Sequence, residues 1–311
     1  MVREALKVVI IYLVLIQSCY FYSCSTRVND PDDNNVEKPL VGRVGSSSSF
    51  EIATWNIENF PLNGTSTITN LGRMISDLDI DIIGVQEVAD VSAFNLMISN
   101  LPEWRSVLSD DEYSPGSYQK TGIIYRFSQV SLSNKQNIFT DDSYAFPRPP
   151  LTAYMQVRDG SGVKFDFNLI VLHLKAYSDP AAIERRKQAC EKLEGFIRDQ
   201  IDAGADPDFI VLGDWNDQLE LNDQRDVFTP FLSRQDMYRF LTLPLTNGYS
   251  YIFTPYQNVI DHILITADAE DEYGVAGETR ILELEKQYSS YTNTISDHRP
   301  VAAIFKAFSL E

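Results

Sequence analysis

The stretch DFIVLGDWND (208–217) decides the fold, because an apolar run ends there in a dense polar cluster. Runs of this length that are rich in branched residues and bounded by polar turns predict buried strands. Apolar runs with polar residues at one end recur in FEIATWN (50–56), DIDIIGVQE (79–87), FDFNLIVLHL (165–174), VIDHILIT (259–266) and SDHRPVAAIF (296–305). The chain therefore places polar side chains repeatedly where predicted strands begin or end.

Two amphipathic segments accompany these strands. Apolar residues at helical spacing predict one helix over 68–78 and a second over 181–202, where Asp179 and Pro180 supply a start signal. Other strands follow one another without an intervening helix, including TGIIYR (121–126), LTAYMQV (151–157) and a predicted pair formed by SYIF (250–253) and VIDHILIT (259–266). This order predicts an α/β fold with mixed sheets rather than a purely parallel one.

The N-terminus carries the features of an export signal. A basic start is followed by the apolar run VVIIYLVLI, and Cys19 and Cys24 each follow a serine in the manner of a lipoprotein cleavage site. We expect a signal peptide over 1–24 with lipidation at Cys24, and the alternatives are lipidation at Cys19 or an uncleaved membrane anchor. Residues 25–49 contain few large apolar residues and predict a disordered linker, so that 50–311 forms a single domain.

Composition excludes several classes of protein. Two of the 3 cysteines lie in the leader, so Cys190 alone remains in the predicted domain, and neither a disulfide framework nor a thiolate metal cluster is expected. The position of Cys190 on the apolar face of the second helix predicts a core role. The 44 acidic and 26 basic residues give a net charge of −18, which repels polyanions and argues against a non-specific nucleic-acid binder. A hydrolase with a locally electropositive site is compatible with this charge.

The polar residues at the strand ends are of particular types, and all 3 histidines of the chain are among them. Carboxylate and amide oxygens are the ligands that Mg²⁺ and Mn²⁺ prefer, whereas the sequence lacks the HExxH motif and the cysteine pairs typical of zinc sites. It also lacks a GxSxG elbow and a GK[ST] loop. The set suits metal-assisted attack of water on phosphorus. Its members are Asn56, Glu87, His173, Asp214, Asn216, Asp261, His262, Asp297 and His298.

Six segments in this order resemble the endonuclease/exonuclease/phosphatase superfamily, which has the DNase I-like fold. They are TWNIENF (54–60), IIGVQEV (82–88), LHLKA (172–176), VLGDWND (211–217), IDHILIT (260–266) and SDHRPV (296–301). Each motif alone is weak, but six in the correct order are specific. The resemblance covers residues 50–308. It implies that residues 50–311 form a catalytic domain. It implies a four-layer sandwich, in which two packed mixed β-sheets are flanked by helices.

The resemblance also implies a metal site and a catalytic histidine. Glu87 would bind a catalytic Mg²⁺ directly, with Asn56 in the outer shell and Asp297 completing the site, and Mn²⁺ is the alternative ion. His298 would act as general base or as electrostatic partner beside the scissile phosphate. Asp261 would orient His298, because a carboxylate on the far ring nitrogen fixes the imidazole and raises its basicity.

The remaining positions implied by the resemblance would contact water and phosphate. Asp214 and Asn216 would orient the attacking water and a phosphate oxygen. The resemblance allows either one or two metal ions in the site. His173 would contact the phosphate and act as acid. Tyr118 and Arg148 match substrate-binding positions, although Tyr118 could also be an ordinary strand-edge aromatic. The guanidinium of Arg148 suits phosphate geometry.

The predicted function is a Mg²⁺-dependent phosphodiesterase, specifically a nuclease that hydrolyses DNA or RNA outside the cytoplasm by metal- and histidine-assisted attack of water. One alternative is a phosphatase or phosphodiesterase for small-molecule or lipid phosphates, which the acidic surface favours. Another is a non-catalytic binding lipoprotein on the same scaffold. The expected partners are nucleic acid or another phosphodiester substrate, and the membrane only through the N-terminal lipid anchor. The protein is expected to be an exported monomer.

Overall fold

The computed structural model describes residues 37–219 and 227–306. The predicted signal peptide over 1–24, with Cys19 and Cys24, and the predicted linker up to residue 36 lie outside the described residues. Short 3₁₀ turns lie at Leu243–Leu245 and Leu284–Lys286. The other elements in chain order are β1 (Phe50–Phe60), α1 (Gly64–Leu78), β2 (Ile82–Val88), α2 (Val91–Ser99), β3 (Trp104–Leu108), β4 (Lys120–Arg126), β5 (Val130–Asn137), β6 (Leu151–Asp159), β7 (Gly162–His173), α3 (Pro180–Asp202), β8 (Phe209–Asp214), α4 (Thr229–Leu232), β9 (Tyr238–Phe240), β10 (Asp261–Thr266), α5 (Glu270–Tyr273), β11 (Glu278–Ile281), α6 (Tyr291–Thr294) and β12 (Val301–Phe305).

The strands form two mixed sheets. The first sheet has the order β11-β12-β1-β2-β4-β3, and the second has the order β5-β6-β7-β8-β10-β9. Each sheet has one parallel pair at its centre, β1 with β2 in the first and β7 with β8 in the second, and its other pairs are antiparallel. The prediction of mixed sheets is therefore confirmed.

The two sheets pack face to face through a shared apolar core. Phe50 and Ile82 of the first sheet lie in one buried cluster with Met155 and Leu212 of the second. The sheets approach so closely at Gly84 that a Cβ at this position would lie 2.2 Å from Leu212 Cδ1. The absence of a side chain at Gly84 leaves the space that the Leu212 and Val171 side chains of the opposing sheet occupy.

Helices cover the outer faces of both sheets. Leu71 and Met74 of α1 pack with Phe94 of α2 on the first sheet, and Cys190 and Leu193 of α3 pack on the second. Helices and sheets together give the predicted four-layer α/β sandwich, so the fold prediction is confirmed. Among the described helices, none has the length and apolar character needed to cross a bilayer.

Local signals place the start of α3, the longest helix among the described residues. Asp179 accepts hydrogen bonds from the backbone N–H groups of Ala181 and Ala182, both at 3.1 Å, and Pro180 occupies the first helical turn. Cys190 is fully buried on this helix, and burial raises the pKa of its thiol. A structural role for Cys190 follows from this environment.

The predicted pairing of SYIF (250–253) with VIDHILIT (259–266) is wrong. β10 pairs with β8 and β9, and Tyr251 forms only an isolated bridge with His298. The backbone N–H groups of Ser250 and Tyr251 both donate to the Asn258 carbonyl, so the chain folds back as a loop. The alternating pattern of this segment arises from a loop beside the site rather than from a core strand.

The predicted linker also ends earlier than residue 49. The backbone N–H of Leu40 donates to Asp77 Oδ2 at 2.6 Å, and the neighbouring Val41 is buried. Residues 39–49 therefore pack against the domain. The physical reason is that a few apolar residues within a polar segment are enough to hold it against α1.

Candidate active site

The polar strand ends meet at one edge of the sandwich. Asn56 and Glu87 lie at the carboxyl ends of β1 and β2, which run parallel. Asp214 is paired with His173 of the parallel strand β7 on one side and with Asp261 of β10 on the other. Because parallel strands bring their carboxyl ends to the same edge of a sheet, residues far apart in sequence converge there.

Irregular backbone aims several of these side chains. The pairing of β1 with β2 shifts register between Asn56 and Phe60. Within this region Glu58, Asn59 and Glu87 have positive φ angles of 37°, 44° and 67°. Such a conformation is costly for residues other than glycine and persists only where the surrounding structure fixes it. Bulges of this kind redirect side chains beside active sites.

Asn56 connects the two sheets at the centre of the site. Its Nδ2 donates to Glu87 Oε1 and to Asp214 Oδ2, both at 3.1 Å. Its Oδ1 accepts the backbone N–H of Glu58 at 3.0 Å. The side chain is buried, so these bonds fix the spacing between the acidic residues of the first sheet and Asp214 of the second.

The structure brings Asp261 and His298 into direct contact. His298 Nδ1 lies 2.8 Å from Asp261 Oδ2, so Nδ1–H donates to the carboxylate and Nε2 faces the site. Asp297 Oδ1 lies 3.8 Å and Asp214 Oδ2 lies 3.9 Å from Nε2. Although Asp297 is the neighbour of His298 in the sequence, it does not bond to Nδ1. The carboxylate that orients the His298 ring is that of Asp261.

Burial and neighbouring charges set the protonation of this group. Burial raises the pKa of Asp214 to about 7, and the Asp261 carboxylate adds to the rise. Burial lowers the pKa of His298, but the carboxylates of Asp261, Asp214 and Asp297 outweigh it and raise the pKa to about 10. At neutral pH His298 is therefore cationic, and Asp214 is close to its titration point.

His173 occupies the opposite wall of the site. Its Nε2 lies 3.4 Å from Asp214 Oδ2 and 3.8 Å from Glu87 Oε1. Its Nδ1 is buried and has no hydrogen-bond partner among the described residues. Burial, followed by the positive charges of Arg148 and His298, holds the pKa of His173 well below its usual value. His173 is therefore a neutral imidazole at pH 7, in contrast to His298.

Glu58 is a site residue that the sequence reasoning missed. Its Oε2 accepts the backbone N–H of Asp297 at 2.8 Å. Burial raises the pKa of Glu58 to about 7, and the negative charges of Asp297 and Glu87 contribute. Strand alternation could not have identified it, because Glu58 has a φ of 37° in the irregular segment after Asn56.

Arg148 lies at the edge of the site, whereas Tyr118 faces elsewhere. Arg148 Nη1 donates to the carbonyls of His173 at 3.4 Å and Leu174 at 3.1 Å. The Tyr118 hydroxyl accepts the Val91 N–H at the start of α2, at 3.2 Å. Among the described residues, Tyr118 forms no hydrogen bond with the other candidate site residues. Its role in substrate binding stays a prediction.

Tyr113 and Gln119 are the residues of this loop that contact Arg148. Arg148 Nε donates to the Tyr113 hydroxyl at 3.0 Å, and Arg148 Nη2 donates to Gln119 Oε1 at 3.2 Å. Gln119 Nε2 lies 3.4 Å from Glu87 Oε2. Neither residue was singled out from the sequence, because both belong to a polar loop without periodicity.

Asn216 and two tryptophans support the floor of the site. Asn216 has a φ of 55°; its N–H donates to Asp214 Oδ1 at 2.9 Å and its Nδ2 donates to the Leu174 carbonyl at 3.2 Å. Trp215 Nε1 donates to the His262 carbonyl at 3.2 Å, and Trp55 Nε1 donates to the Tyr291 hydroxyl at 3.0 Å. Both tryptophans are fully buried.

The third histidine is structural. His262 Nδ1 lies 3.0 Å from Thr242 Oγ1, and its Nε2 lies 2.9 Å from the Asp217 carbonyl. Burial lowers the pKa of His262 to about 4. Both ring nitrogens are therefore occupied on the core side of β10, away from the group around Asp214.

The donor set fits a divalent metal ion. Glu87 contacts Asn56, and the carboxylate of Glu58 lies close enough to Asp297 and Glu87 to feel their charges; among the described residues none of these three carboxylates forms an ion pair with a lysine or arginine. Burial raises the pKa of Asp297, and the nearby charge of Glu87 adds to the rise. Clustered carboxylates of this kind are typical of sites for hard divalent ions.

A second group could also bind a metal by geometry. Ligand atoms of Asp214, Asp261 and His298 all lie within 4.8 Å of one another, and Asp261 Oδ1 is buried without a hydrogen-bond partner. His298 Nδ1 is already bonded to Asp261, so this group offers fewer free donors than the Glu58, Glu87 and Asp297 carboxylates. Glu58, Glu87 and Asp297 thus offer more unbonded oxygens, whereas Asp214, Asp261 and His298 are the described residues whose ligand atoms are shown to converge.

Comparison with known proteins supports this description. A model of the Endonuclease/Exonuclease/phosphatase family matches residues 53–298, a span that contains the whole candidate site. No curated protein sequence matches the chain at a significant level.

Solved structures share the fold. D. rerio TDP2 complexed with single strand DNA product is 16% identical, covers 83% of this chain and 99% of its own, and has a TM-score of 0.61. The 3′ phosphatase NExo from Neisseria, bound to product DNA hairpin, is 17% identical over 82% of this chain and 99% of its own, with a TM-score of 0.59. A mannosyl-6-phosphatase from Bacteroides thetaiotaomicron is 18% identical over 83% and 99%, with a TM-score of 0.55.

Proposed function

Because the chain belongs to the endonuclease/exonuclease/phosphatase family, whose members are phosphoric ester hydrolases, we propose that it is a Mg²⁺-dependent phosphodiesterase that hydrolyses DNA or RNA. The single observation that carries this proposal is the placement of Asp214. Its buried carboxylate lies between the cationic His298 and the neutral His173, with the acidic group of Glu58, Glu87 and Asp297 beside it. This arrangement provides a proton acceptor, a cation and a metal site around one small space.

Asp214 is the proposed acceptor of the proton from the attacking water. Asn56 donates to its Oδ2 and the Asn216 N–H donates to its Oδ1, so the carboxylate is held in one orientation. Its pKa of about 7 matches the operating range expected of a general base. Above that pH the carboxylate can take a proton while water attacks phosphorus.

His298 is the proposed electrostatic partner of the phosphate. The pKa of about 10 keeps the imidazole protonated at neutral pH, and Asp261 fixes the ring so that Nε2–H points into the site. A preorganised cation is worth most where negative charge develops in the transition state. Of the two roles that the sequence left open for His298, this environment favours the electrostatic one.

Glu58, Glu87 and Asp297 would hold the metal ion, with Asn56 hydrogen-bonded to Glu87 behind it. A divalent ion supplies Lewis-acid polarisation of a phosphoryl oxygen when it is bound. The carboxylates themselves keep the phosphate away from this side in the absence of a cation, because like charges repel. Substrate binding is therefore expected to depend on the ion as well.

His173 and Arg148 are the proposed contacts for the remaining phosphate oxygens and the leaving group. Neutral His173 can donate from Nε2 without adding charge, and its ring is fixed by burial. Arg148 is held by the His173 and Leu174 carbonyls, and a guanidinium can grip phosphate with two parallel hydrogen bonds.

The proposed location of the enzyme is outside the cytoplasm. The features over 1–24 support an exported lipoprotein anchored through Cys24 or Cys19, and 25–36 would tether the domain. We expect the enzyme to act as a monomer. Labelling of the full chain with radioactive palmitate in a bacterial host, followed by Cys24→Ala, tests the anchor: lipidation should disappear.

A second candidate function is hydrolysis of small-molecule phosphates. The net charge of −18 favours substrates with fewer charges than a polynucleotide, and one of the similar structures is a mannosyl-6-phosphatase. The lipid version of this alternative would require a membrane-facing apolar surface beside the site.

Substrate comparison tests the proposal. The full chain is assayed with Mg²⁺ on plasmid DNA, RNA, sphingomyelin, a sugar phosphate and bis(p-nitrophenyl) phosphate, and EDTA and His298→Ala serve as controls. We expect cleavage of polynucleotide and aryl diester that both controls abolish. Turnover of the sugar phosphate or the lipid without polynucleotide cleavage would favour the second candidate instead.

A further inference from the structure

The loop over 174–179, directly after His173, presents a cation and an aromatic ring to solvent. Lys175 Nζ lies 4.4 Å from the centre of the Tyr177 ring, within the range of a cation–π contact. Tyr177 is 75% exposed, so the ring face opposite Lys175 is open. An exposed tyrosine of this kind offers a large aromatic surface to a ligand.

A buried arginine fixes this loop. Arg186 Nη1 donates to the backbone carbonyls of Lys175 and Tyr177, both at 2.7 Å. Arg186 itself is 1% exposed and pairs with the buried Asp217 at 2.8 Å. Tyr177 has a φ of 82°, a costly conformation that the two hydrogen bonds hold in place. Lys175 and Tyr177 are therefore preorganised rather than placed by chance on a mobile loop.

Three cations beside the site lack carboxylate partners. Arg148 donates to the Tyr113 hydroxyl, and Arg185 donates to the backbone carbonyls of Ser143 and Tyr144. Within the described part of the chain, Arg148, Lys175 and Arg185 form no ion pair with an aspartate or glutamate, although acidic residues outnumber basic ones by 44 to 26. These positive charges are thus left available for a ligand.

Lys175 lies within the electric field of Arg185 and Arg148. Burial lowers the pKa of Lys175, the charges of Arg185 and Arg148 lower it further, and the Asp179 carboxylate offsets part of this effect. Mutual repulsion of this kind is unfavourable unless an anion neutralises it. A locally positive surface therefore adjoins the His173 side of the site in a strongly acidic protein.

Each of these cations is accompanied by a half-exposed or exposed tyrosine. Arg148 contacts Tyr113, Lys175 contacts Tyr177, and the Arg185 guanidinium lies 5.3 Å from the centre of the Tyr144 ring. We call these six residues the tyrosine–cation rim. Cations paired with open aromatic faces are typical of surfaces that bind phosphates and unpaired bases together.

We propose that the tyrosine–cation rim is a subsite for the phosphates and unpaired bases that adjoin the scissile bond of a single-stranded nucleic acid. This rests on the proposed function, because Arg148 connects the rim to the catalytic site through the His173 carbonyl. Lys175 and Arg185 contact successive phosphates, and the rings of Tyr177 and Tyr144 stack on bases. A duplex cannot use these rings, since its bases are already stacked on one another.

The test measures binding, so that it does not depend on turnover. Fluorescein-labelled (dT)₈ is titrated with the full chain carrying His298→Ala, with Mg²⁺ present, at several salt concentrations. Lys175→Gln/Arg185→Gln in this background should weaken binding about 10-fold. It should also reduce the slope of log Kd against log salt by about 1.4, because each phosphate contact on a single strand contributes about 0.7. Tyr177→Ala should weaken binding about 10-fold without changing the salt slope.

The matched control is Arg158→Gln/Lys164→Gln, which removes two cations at the opposite end of β6 and β7 and should leave the affinity within about 2-fold. The inference is overturned if the parent chain does not bind (dT)₈, if Lys175→Gln/Arg185→Gln binds with unchanged affinity and salt slope, or if an eight-base-pair duplex binds as tightly as the single strand. Failure of the wild-type chain, with His298 intact, to hydrolyse any phosphodiester would instead reject the proposed function, and the binding of (dT)₈ would then decide separately on the rim.

Discussion

His298 Nδ1 lies 2.8 Å from Asp261 Oδ2, although the two residues are 37 positions apart: Asp261 begins β10 of the second sheet, and His298 lies just before β12 of the first. The contact is buried, so it fixes both the direction and the charge of the imidazole. It makes His298 a cation at neutral pH and leaves Asp214 as the group whose protonation changes near pH 7.

Substitution Asp261→Asn tests the source of the His298 charge. Loss of the carboxylate lowers the pKa of His298, so the decline in activity at alkaline pH should move to lower pH, and kcat at pH 8 should fall about 100-fold. The pH–rate profile on bis(p-nitrophenyl) phosphate measures both effects. An alkaline limb at the same pH in Asp261→Asn and wild type would contradict the assignment, provided that thermal melting shows both to be folded.

The pH profile of the wild-type enzyme follows from two groups. Asp214 must be deprotonated, so the rate should rise as pH increases through about 7, and His298 must be protonated, so the rate should fall as pH increases through about 10. A bound divalent ion lowers both values because it adds positive charge, but it leaves their order unchanged.

Asp214→Asn should remove the rising limb of this profile and lower kcat by about 1,000-fold. The amide keeps the hydrogen-bonding shape but cannot accept a proton from water. A rising limb that survives in Asp214→Asn would show that another group acts as the base, and Glu58 would then be the next candidate, since its pKa is also raised to about 7.

Glu58→Gln tests the metal site. Glu58 accepts the Asp297 N–H and lies among the acidic residues around Asn56, so its neutralisation should weaken Mg²⁺ or Mn²⁺ binding about 10-fold. Isothermal titration calorimetry on the substrate-free protein measures this directly. Glu270→Gln is the matched control, because Glu270 lies on α5, after the far end of β10, and should leave the metal affinity unchanged. Equal affinities for the two variants would remove Glu58 from the site.

Arg186→Met tests the anchoring of the loop over 174–179. This substitution removes the guanidinium that donates to the buried Asp217 carboxylate at 2.8 Å and 3.0 Å, which costs about 3–5 kcal/mol of the free energy of unfolding. Arg198→Met on the same helix breaks an exposed pair with Asp199 at 3.9 Å and should cost under about 1 kcal/mol. Chemical denaturation compares the two variants. If Arg186→Met were no less stable than Arg198→Met, the buried pair would not be what holds this loop.

The sequence predicts the edge where the site forms, but not every residue in it. Asn56, Glu87, Asp214 and Asp261 stand at the ends of strands whose apolar patterns are strong, so their convergence follows from strand order and direction. Glu58 was missed because its orientation depends on a bulge with positive φ, and such a backbone leaves no periodic signal.

The loops around the site were predicted least well. Tyr118 lies beside α2, while Tyr113 and Gln119 contact Arg148 instead. The polar loop that carries all three has no pattern that distinguishes one aromatic residue from another. The alternating segment around Tyr251 imitates a strand, yet hydrogen bonds to Asn258 fold it into a loop, and only tertiary contacts decide between the two.

The most direct test of metal- and histidine-assisted attack of water on phosphorus is hydrolysis in H₂¹⁸O. A short single-stranded oligonucleotide is incubated with the full chain and Mg²⁺, and the phosphate of the product is analysed by mass spectrometry. We predict one ¹⁸O atom in the terminal phosphomonoester formed at each cleaved bond, and no product with EDTA or with His298→Ala. Product phosphate without ¹⁸O, or turnover that persists with EDTA and in His298→Ala, would contradict the account.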